Sequence, residues 1–406
     1  MANKPVSEGN SPPIEGDTGW LNPAVIGMGL TSFFSDLGHE TASSILPLFL
    51  ASLGAPAAAL GVIEGVSDAL SSFAKLGAGW LGDRVSRRKP IVVGGYMLTG
   101  LATGLFGLAT SWPQILVSRA VGWFGRGVRG PLRDAMLADA VDPRERGRAF
   151  GLERAGDTLG AVLGPATALL LVSAMTYRKI FLLTVIPGLI AALCFAVLVR
   201  EHGRRLTRPR KFWEALGALP RGFRVYLIAV AVFGAGDFAH TLLILRASQA
   251  LAPSLGTVQA GALAIGLYTI HNVIYAAATV PAGALGDRYG KRRLLAGGYL
   301  LAAVMSGGFI LATPSWWHFA LLFAAGGLYI AVEDTLERAL AADLLPRDML
   351  STGYGALAAA NGLGDFVSSV LVGVLWTVVS PAAGFAYAAI LSLVGAALVS
   401  RVRLGG

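Results

Sequence analysis

The sequence has few charged residues, five histidines and a single cysteine. Charged side chains make up 14% of the 406 residues, whereas about 25% is usual in a soluble protein. Hydrophobic residues make up 54%, so too little polar surface remains to cover a water-soluble globule. The lone Cys194 excludes an internal disulfide. No nucleophile–base–orienter set, phosphate loop or Cys/His zinc spacing is present, so we expect neither an enzyme nor a bound cofactor.

What the sequence has instead is a series of long, glycine-containing apolar runs. Many runs reach about 18 residues or more, the length that crosses the hydrocarbon of a bilayer. The 53 glycines fit this class, because small residues let membrane helices approach closely. The runs predict an all-α membrane protein with twelve spans, six in each half. The predicted spans lie near residues 24–50, 57–81, 90–110, 113–139, 148–172, 178–199, 224–247, 258–285, 293–312, 316–344, 351–379 and 383–400.

The segments around these runs divide the chain into five parts. Residues 1–22 are rich in Pro, Gly, Ser and Glu and lack the apolar core of a signal peptide, which predicts a disordered cytoplasmic tail. Two six-helix bundles are expected over residues 23–199 and 224–400. A basic cytoplasmic linker over residues 200–223 joins the bundles, and residues 401–406 form a second short tail.

The positive charges are concentrated in alternate loops. Basic residues follow the second, fourth, sixth and eighth spans, whereas the opposite loops hold only Arg178 and Lys179, with Arg246 near a helix end. The positive-inside rule therefore places both termini in the cytoplasm, and we expect a multi-pass protein of the bacterial inner membrane. The net charge of +9 reflects this topology and does not indicate a nucleic-acid partner.

A Gly-Asp-Arg motif followed by basic residues occurs twice, about half the chain length apart. Such duplication in an apolar chain is typical of a secondary transporter. A carboxylate at this helix end can pair with the basic loop and with the positive N-terminus of a neighbouring helix, so the motif predicts a gate. The alternative is that the basic residues only fix topology and bind anionic lipid. The gating residues predicted from the two copies are Gly79, Gly82, Asp83, Arg84 and Arg88, and Gly283, Gly286, Asp287, Arg288 and Arg292.

Twelve spans, a basic central linker and the duplicated motif resemble the major facilitator superfamily. The resemblance implies two pseudo-symmetric six-helix bundles around a central cavity, with alternating access by rocking of one bundle against the other. Arg119, followed by Gly122 and Gly125, resembles the span-four motif that the family links to proton coupling. The span-five motif found mainly in antiporters is resembled by Gly156, Gly160, Gly164 and Pro165, although Thr167 and Ala168 replace its usual glycine pair. Residues 34–40, 47–50 and 61–65 resemble a bacterial exporter group that includes nickel-resistance transporters.

Charged side chains interrupt several of the apolar runs. Each costs at least about 2.5 kcal/mol at mid-bilayer and so needs a partner, a cavity or a function. Arg119, Arg126 and Arg133 recur at heptad spacing and form one stripe along span four. Ion pairing between neighbouring spans is one explanation, for example Arg126 or Arg129 with Glu153 or Asp157. The residues predicted to serve substrate binding or proton coupling are Asp36, His39, Glu40, Glu64, Asp68, Arg119, Arg126, Glu153, Asp157, Asp237, His240, His271 and Asn272.

Two of these carboxylates, Asp36 and Glu64, are expected to carry protons. They lie deep in spans one and two, and desolvation favours the neutral form of a carboxyl group, as proton coupling requires. In span ten, Glu333 and Glu337 match the positions of the span-four arginines, which predicts a cavity with one basic and one acidic wall. The alternative is that these charged residues only form pairs near the cytoplasmic mouth.

An Asp-x-x-His pattern occurs in both halves and raises the question of a metal. On a helix, Asp36 with His39 and Asp237 with His240 would each share a face. Two such pairs from facing bundles could supply oxygen and nitrogen ligands to Ni, Co, Fe or Zn. The alternative is that the histidines form hydrogen bonds within each bundle.

Together these features predict a proton-coupled antiporter that exports a small solute and works as a monomer in the bilayer. The predicted substrate is a divalent metal cation or its complex, or a cationic drug. Two alternatives stay open: an importer of an organic anion that uses the span-four arginines, and a non-transporting membrane receptor on the same fold.

Overall fold

A computed structural model describes residues 19–82, 85, 87–142, 145–201, 217, 219–311, 313–346 and 349–402. Within these ranges the chain is helical and contains no β-strand. Several predictions lie outside the described residues: the conformation of residues 1–18 and of most of the central linker, and the gating roles of Asp83 and Arg84.

The first half contains six spans. The helices are α1 (Pro23–Ser52), α2 (Ala57–Gly82), α3 (Lys89–Gly104) with a 3-10 turn (Leu105–Leu108), α4 (Trp112–Asp139), α5 (Arg146–Val172), α6 (Tyr177–Leu183) and α7 (Val185–Leu198). Prolines at the first turns of α1, α3 and α4 begin these helices without loss, because a proline there gives up a backbone N–H that has no helical partner. The short helices α6 and α7 together form the sixth span.

The second half repeats this order with one difference. The helices are α8 (Arg221–Gly234), α9 (Thr241–Leu255), α10 (Thr257–Tyr289), α11 (Lys291–Ile310), α12 (Trp316–Leu344), α13 (Leu350–Val378) and α14 (Pro381–Ser400). The seventh span was predicted as one helix over 224–247, but residues 235–240 interrupt it between α8 and α9. The turn between α9 and α10 contains Gly256 at φ 80°, a left-handed conformation that glycine adopts without strain.

The two halves pack in the same pattern, which confirms the predicted pair of six-helix bundles. In the first half α1 contacts α5 and α7, α2 contacts α4, and α3 contacts α4 and α7. In the second half α8 contacts α13 and α14, α10 contacts α12, and α11 contacts α12 and α14. The bundles meet along α2 with α13 and along α5 with α10, two contacts that the same pseudo-symmetry relates.

Nine helical spans of the described chain are long and apolar enough to cross a bilayer. The three predicted spans that fall short are the first, the fourth and the broken seventh. Charged residues lower the hydropathy of α1 and α4, and neither α8 nor α9 is long enough alone. These same three spans contribute polar groups to the interior, as expected where polar side chains face a cavity instead of lipid.

The bundles are in apolar contact at one end and separate at the other. At the closed end, Leu46 and Leu48 of α1 belong to one buried cluster with Leu242 and Ile244 of α9. Gly261 of α10 lies against Leu48, where an added Cβ would come within 3.1 Å of its side chain. At the opposite end, where α1 begins at Pro23 and α12 ends at Leu344, a cavity opens between the bundles.

Candidate functional site

The cavity between the bundles has a volume of about 590 Å³, large enough for a small organic solute. Its walls differ in charge. The first half contributes five basic residues from α2, α4 and α5 together with three acidic ones, and the second half contributes two acidic residues, one arginine and polar groups from α12 and α13. The lining includes Ser32, Ser35, Asp36, Lys75, Arg126, Arg129, Arg133, Asp134, Arg154, Asp157, Asp334, Glu337, Arg338, Tyr354 and Asn361.

The arginine stripe of α4 reaches three different helices. Arg119 Nη2 lies 2.5 Å from Glu64 Oε2 on α2, and Arg126 Nη2 lies 3.4 Å from Asp36 Oδ1 on α1. Arg133 Nη1 lies 2.8 Å from Glu153 Oε1 on α5. The stripe therefore ties α4 to its neighbours through buried ion pairs.

Pairing between α4 and α5 had been predicted with other partners. Arg126 is paired with Asp36 instead of Glu153 or Asp157, because it points across the bundle towards α1. Asp157 is paired within α5, where Arg154 Nη1 lies 3.1 Å from its Oδ2. The ion pairs exist, but the predicted partners were wrong.

Arg129 stands apart from these pairs. It is 5% exposed, its Nη2 donates to Ser35 Oγ at 2.9 Å, and its Cζ lies 3.7 Å from the centre of the Tyr96 ring. Among the described residues it has no carboxylate partner, and its buried Nη1 has no hydrogen-bond partner. The sequence-based site did not include Arg129. Nothing in the sequence distinguishes it, since its isolation depends on which side chains the neighbouring helices present.

Between the cavity and the closed end, polar side chains of the two bundles form hydrogen bonds with each other. Glu64, 3% exposed, also accepts a 3.0 Å hydrogen bond from Thr241 Oγ1 on α9. Glu40 accepts one of 3.3 Å from the Tyr268 hydroxyl on α10. The predicted coupling carboxylate Glu64 thus belongs to a polar junction between the bundles.

Trp123 of α4 contacts two more of the predicted site residues, Asp68 and His39. Its Nε1 donates to Asp68 Oδ1 at 2.9 Å, and its ring lies 4.6 Å from that of His39, centre to centre. His39 Nε2 is 3.6 Å from Glu40, whereas its buried Nδ1 has no partner among the described residues. His39 is therefore positioned by aromatic packing.

The opposite wall satisfies its acidic residues with neutral donors. Glu337, 2% exposed, accepts hydrogen bonds from the hydroxyl of Tyr299 and from Asn361 Nδ2, the latter at 2.8 Å. Among the described residues no cation lies within ion-pairing distance of Glu337. Sequence reasoning placed Glu337 on the acidic wall but did not include it among the site residues.

The break in the seventh span holds the second Asp-x-x-His pair. Asp237 and His240 were predicted to share a helix face, but both lie in the non-helical segment between α8 and α9. Side chains of α13 satisfy the freed backbone groups: Ser368 Oγ donates to Asp237 O at 2.5 Å, and Ala239 N donates to Ser369 Oγ at 3.0 Å. Backbone breaks at membrane depth persist where such partners exist. The signal in the sequence was the run Gly234-Ala-Gly236, which weakens a helix.

One hydroxyl bridges this pair. The Tyr329 hydroxyl on α12 donates to Asp237 Oδ1 at 2.8 Å and lies 2.6 Å from His240 Nε2. Two other predicted residues contact backbone carbonyls: His271 Nδ1 lies 3.2 Å from Phe323 O, and Asn272 Nδ2 donates to Ala161 O at 2.9 Å. Each of these side chains has a partner within the protein.

The predicted metal site does not form. Asp36 is held by Arg126 and His39 packs on Trp123, while Asp237 and His240 share Tyr329. Across the described chain, no three His, Cys, Asp or Glu side chains come close enough together to hold a metal ion. The two Asp-x-x-His pairs fail to meet because each is engaged within its own bundle.

The second copy of the duplicated motif lies beside the cavity mouth. Asp287 is 74% exposed and is 3.8 Å from Lys291, which also reaches Asp343 Oδ2 at 2.9 Å. Arg292 Nη1 donates to Val402 O at 2.6 Å. In the first copy, Arg88 Nη1 lies 3.2 Å from Asp139 Oδ2. In each half, a basic residue of the duplicated motif is therefore paired with an aspartate at the C-terminal end of a helix, α4 in the first half and α12 in the second.

The antiporter-like glycines of α5 let α1 pack closely. A Cβ added to Gly160 would lie 2.5 Å from Phe33 O, and one added to Gly164 would lie 2.5 Å from the Glu40 Cβ. Gly156 contacts the backbone of Gly29 in the same way. Pro165 lies inside α5. The motif thus has a packing role in this structure.

Comparisons with known proteins agree with this architecture. An uncharacterised MFS-type transporter of Methanocaldococcus jannaschii is 29% identical over 381 residues, covering 93% of this chain and 94% of the relative. A probable 4-methylmuconolactone transporter of Cupriavidus pinatubonensis is 31% identical over 164 residues, covering 39% of this chain and 37% of the relative. The crystal structure of a mutant of the nucleoside transporter NupG aligns with a TM-score of 0.78 at 12% identity, covering 93% of this chain and 98% of that chain.

The family model of the Major Facilitator Superfamily matches residues 28–249 and 226–404, and so covers both bundles and the cavity between them. The duplicated motif, the paired bundles and this match agree. The chain belongs to the major facilitator superfamily, as a membrane transporter and not an enzyme.

Proposed function

We propose that this protein is a proton-coupled secondary transporter of a small organic solute, with the exchangeable protons on carboxylates of the second bundle. One observation carries the proposal: Glu337 is buried beside the cavity, and its side-chain donors among the described residues are neutral. A buried carboxylate without a cation is costly when ionised, and protonation removes that cost. The hydroxyl and amide partners suit either form, because Glu337 can lose its charge without leaving a cation unpaired.

Asp237 resembles Glu337 in its surroundings. Its nearest donor is the neutral Tyr329 hydroxyl, and it lies in the non-helical break of the seventh span. In transporters, broken helices near mid-membrane are where coupling ions and substrates bind. Asp237 is therefore the second proton carrier that we propose.

The first-bundle carboxylates have a different role in this proposal. Asp36 and Glu64 were the predicted proton carriers, but each is paired with an arginine that stabilises its ionised form. Protonation of Glu64 would leave the buried Arg119 guanidinium unpaired, at a cost of several kcal/mol. Arg126 beside Asp36, in contrast, is 31% exposed and would lose less. We assign them to holding α4 against α1 and α2.

The positive-inside rule gives the orientation. The basic loops lie at the end where the cavity opens, so the cavity faces the cytoplasm and both chain termini are cytoplasmic. The structure then corresponds to an inward-facing state of a bacterial inner-membrane protein. No described residue of the first bundle pairs with the exposed Asp287, and we therefore propose that the gate is open in this state.

The substrate we propose is organic and not a metal ion. The relative from Cupriavidus pinatubonensis carries 4-methylmuconolactone in its name, which supports an organic cargo. The resemblance of α1 and α2 to exporters that include nickel-resistance proteins would imply a metal, but the two Asp-x-x-His pairs are engaged by other side chains.

The charges of the cavity favour symport, in which the proton and the solute cross the membrane in the same direction. The first-half wall has more basic than acidic groups and the second-half wall has more acidic than basic ones, so a proton and an anionic or dipolar solute can bind together. Proton antiport with export is the second candidate, because the glycines of α5 resemble the antiporter motif and set how closely α1 and α5 pack.

The test uses purified protein in liposomes that contain a trapped pH-sensitive dye, with the membrane potential clamped. Gradients of benzoate, hexanoate, 4-methylmuconolactone or tetraphenylphosphonium are applied in turn. We expect one of the organic acids or the lactone to drive proton movement in the wild type. Glu337→Gln should abolish the proton movement while leaving solute exchange, and Glu145→Gln, in the α4–α5 loop, serves as the matched control.

Each outcome decides a different point. Protons that move with the solute establish symport, and protons that move against it establish antiport. Proton coupling that survives in both Glu337→Gln and Asp237→Asn would refute the proposed carriers. If tetraphenylphosphonium were the only solute that drives proton movement, the substrate would be a lipophilic cation and not an organic acid or lactone.

A further inference from the structure

Among the described residues that line the cavity, Arg129 is the buried cation without a carboxylate partner, whereas Lys75 on the same wall has no ion pair but is exposed. Arg126, Arg133 and Arg154 each lie within 3.4 Å of a carboxylate oxygen. Arg129 lines the same cavity, yet its contacts are a hydroxyl and an aromatic ring. A guanidinium that is 5% exposed and unpaired is expensive to bury, so its retention calls for a ligand of opposite charge.

The Arg129 side chain is held in a fixed orientation. Gly95 of α3 packs against its stem, where an added Cβ would lie 2.9 Å from the Arg129 Cβ. The Tyr96 ring supports the guanidinium face, and Ser35 Oγ accepts from Nη2 at 2.9 Å. Cation–π stacking of this kind fixes the plane of the group. Nη1 then remains with unused donor capacity, buried and without a partner in the described chain.

This geometry selects the chemistry of the ligand. A planar guanidinium matches the two oxygens of a carboxylate, which can accept from it in a bidentate arrangement. One buried positive charge without a partner suits one negative charge, because Lys75, which also has no ion pair in the described chain, is exposed. A volume of about 590 Å³ far exceeds the size of an inorganic anion and accommodates an organic body.

We propose that Arg129 binds the carboxylate of a monoanionic organic substrate, with Ser35 and Tyr96 positioning its guanidinium. This inference rests on the proposed transport function and adds the class of its substrate. The organic body would extend towards Glu337 and Asn361 on the opposite wall of the cavity. The substrate would thereby bridge the two bundles, as alternating access requires.

The site predicts an unusual effect on stability. Removal of an unpaired buried charge relieves its desolvation cost, so Arg129→Gln should raise the unfolding temperature of the ligand-free protein. A purely structural arginine would do the opposite. The matched control is Arg148→Gln, because Arg148 is 68% exposed on α5 and pairs only locally with Glu145.

Binding is measured by thermal unfolding and calorimetry in detergent without added phospholipid. Benzoate and hexanoate are the probes, with phosphate, chloride and tetraphenylphosphonium as competitors of different charge or size. Wild type and Arg148→Gln should bind a monocarboxylate equally. Arg129→Gln should weaken binding by about 10- to 100-fold, the usual value of a hydrogen bond to a charged group. Arg129→Lys should fall between them, because an ammonium lacks the planar fork.

Three results would overturn the proposal. The first is an unchanged monocarboxylate affinity in Arg129→Gln, and the second is that neither monocarboxylate binds to the wild type at millimolar concentration. The third is that phosphate or chloride stabilises the protein and the carboxylates do not. The two proposals are separated by their measurements: benzoate affinity in Arg129→Gln tests the carboxylate site, whereas proton movement in Glu337→Gln tests the proton carriers, so either can fail while the other stands. If Arg129→Gln did not change benzoate affinity, the proposal for Arg129 would fail, but the proposed roles of Glu337 and Asp237 as proton carriers would stand.

Discussion

The two bundles share one packing pattern but treat buried charge in opposite ways. In the first bundle, Arg119 and Arg126 hold Glu64 and Asp36 as ion pairs. In the second, Glu337 and Asp237 are bound by tyrosine hydroxyls and an amide. An ion pair fixes the charge of both partners, whereas neutral donors allow a carboxylate to gain or lose a proton. Duplication thus preserved the helical frame, and in our proposal the halves specialised, one for an anion and one for protons.

The largest expected effect comes from breaking an ion pair of the first bundle. Arg119→Gln leaves Glu64 buried, with Thr241 as its described donor. Loss of one partner from a buried ion pair costs about 3–5 kcal/mol, so we expect a large fall in folded yield and unfolding temperature. Adding Glu64→Gln to Arg119→Gln should restore much of the loss, because no unpaired charge then remains. Thermal unfolding of the purified variants measures both effects.

The counterpart in the second bundle tests the comparison directly. Asn361→Ala removes one neutral donor from Glu337 and leaves Tyr299 in place. We expect a cost of about 1 kcal/mol, the usual value of a single hydrogen bond, since Glu337 can accept a proton in compensation. Equal losses in Arg119→Gln and Asn361→Ala would remove the distinction between the bundles.

The sequence predicted the frame of the molecule well. Apolar runs of membrane length predict where each span lies, and the duplicated Gly-Asp-Arg motif predicts two matching halves. The acidic wall was also foreseen, from Glu337 lying where Arg133 lies in the first half. These features depend on local composition and on internal symmetry, which a single sequence displays.

The partners of the charged residues could not be predicted in the same way. Heptad spacing places Arg119, Arg126 and Arg133 on one face of α4, but they reach α2, α1 and α5 in turn. Periodicity along one helix says nothing about which neighbour lies opposite each turn. The broken seventh span was missed for a related reason: Ser368 and Ser369 of α13, far along the chain, satisfy its free backbone groups.

A second pair of variants should affect the two bundles alike. Gly160→Ala on α5 would place a Cβ 2.5 Å from Phe33 O, and Gly364→Ala on α13 would place one 2.6 Å from Gly234 C. Both contacts are with backbone, which cannot move aside as a side chain can. Overpacking of this kind typically costs about 1–3 kcal/mol, so both unfolding temperatures should fall by similar amounts.

Gly151→Ala on α5 is the matched control for these variants. The described residues leave open space around Gly151, and replacing a helical glycine by alanine stabilises by about 0.5–1 kcal/mol. Gly151→Ala should therefore raise the unfolding temperature slightly. If only one of Gly160→Ala and Gly364→Ala were destabilising, close helix packing would belong to one bundle and not to the shared frame.

The smallest effects are expected at the two basic loops. Asp139 pairs with Arg88, and its counterpart Asp343 pairs with Lys291, which also lies 3.8 Å from Asp287. Both carboxylates are exposed, although Arg88 is buried, and ion pairs at the surface contribute about 0.2–1 kcal/mol and are screened by salt. Asp139→Asn and Asp343→Asn should therefore lower the unfolding temperature slightly, and less in concentrated salt. Asp343→Asn should lower the unfolding temperature least, because Lys291 still has the Asp287 carboxylate nearby. A salt-insensitive loss would indicate a buried structural role. A changed transport rate at unchanged stability would instead show that these loops act in the change of access, as the duplicated motif predicts.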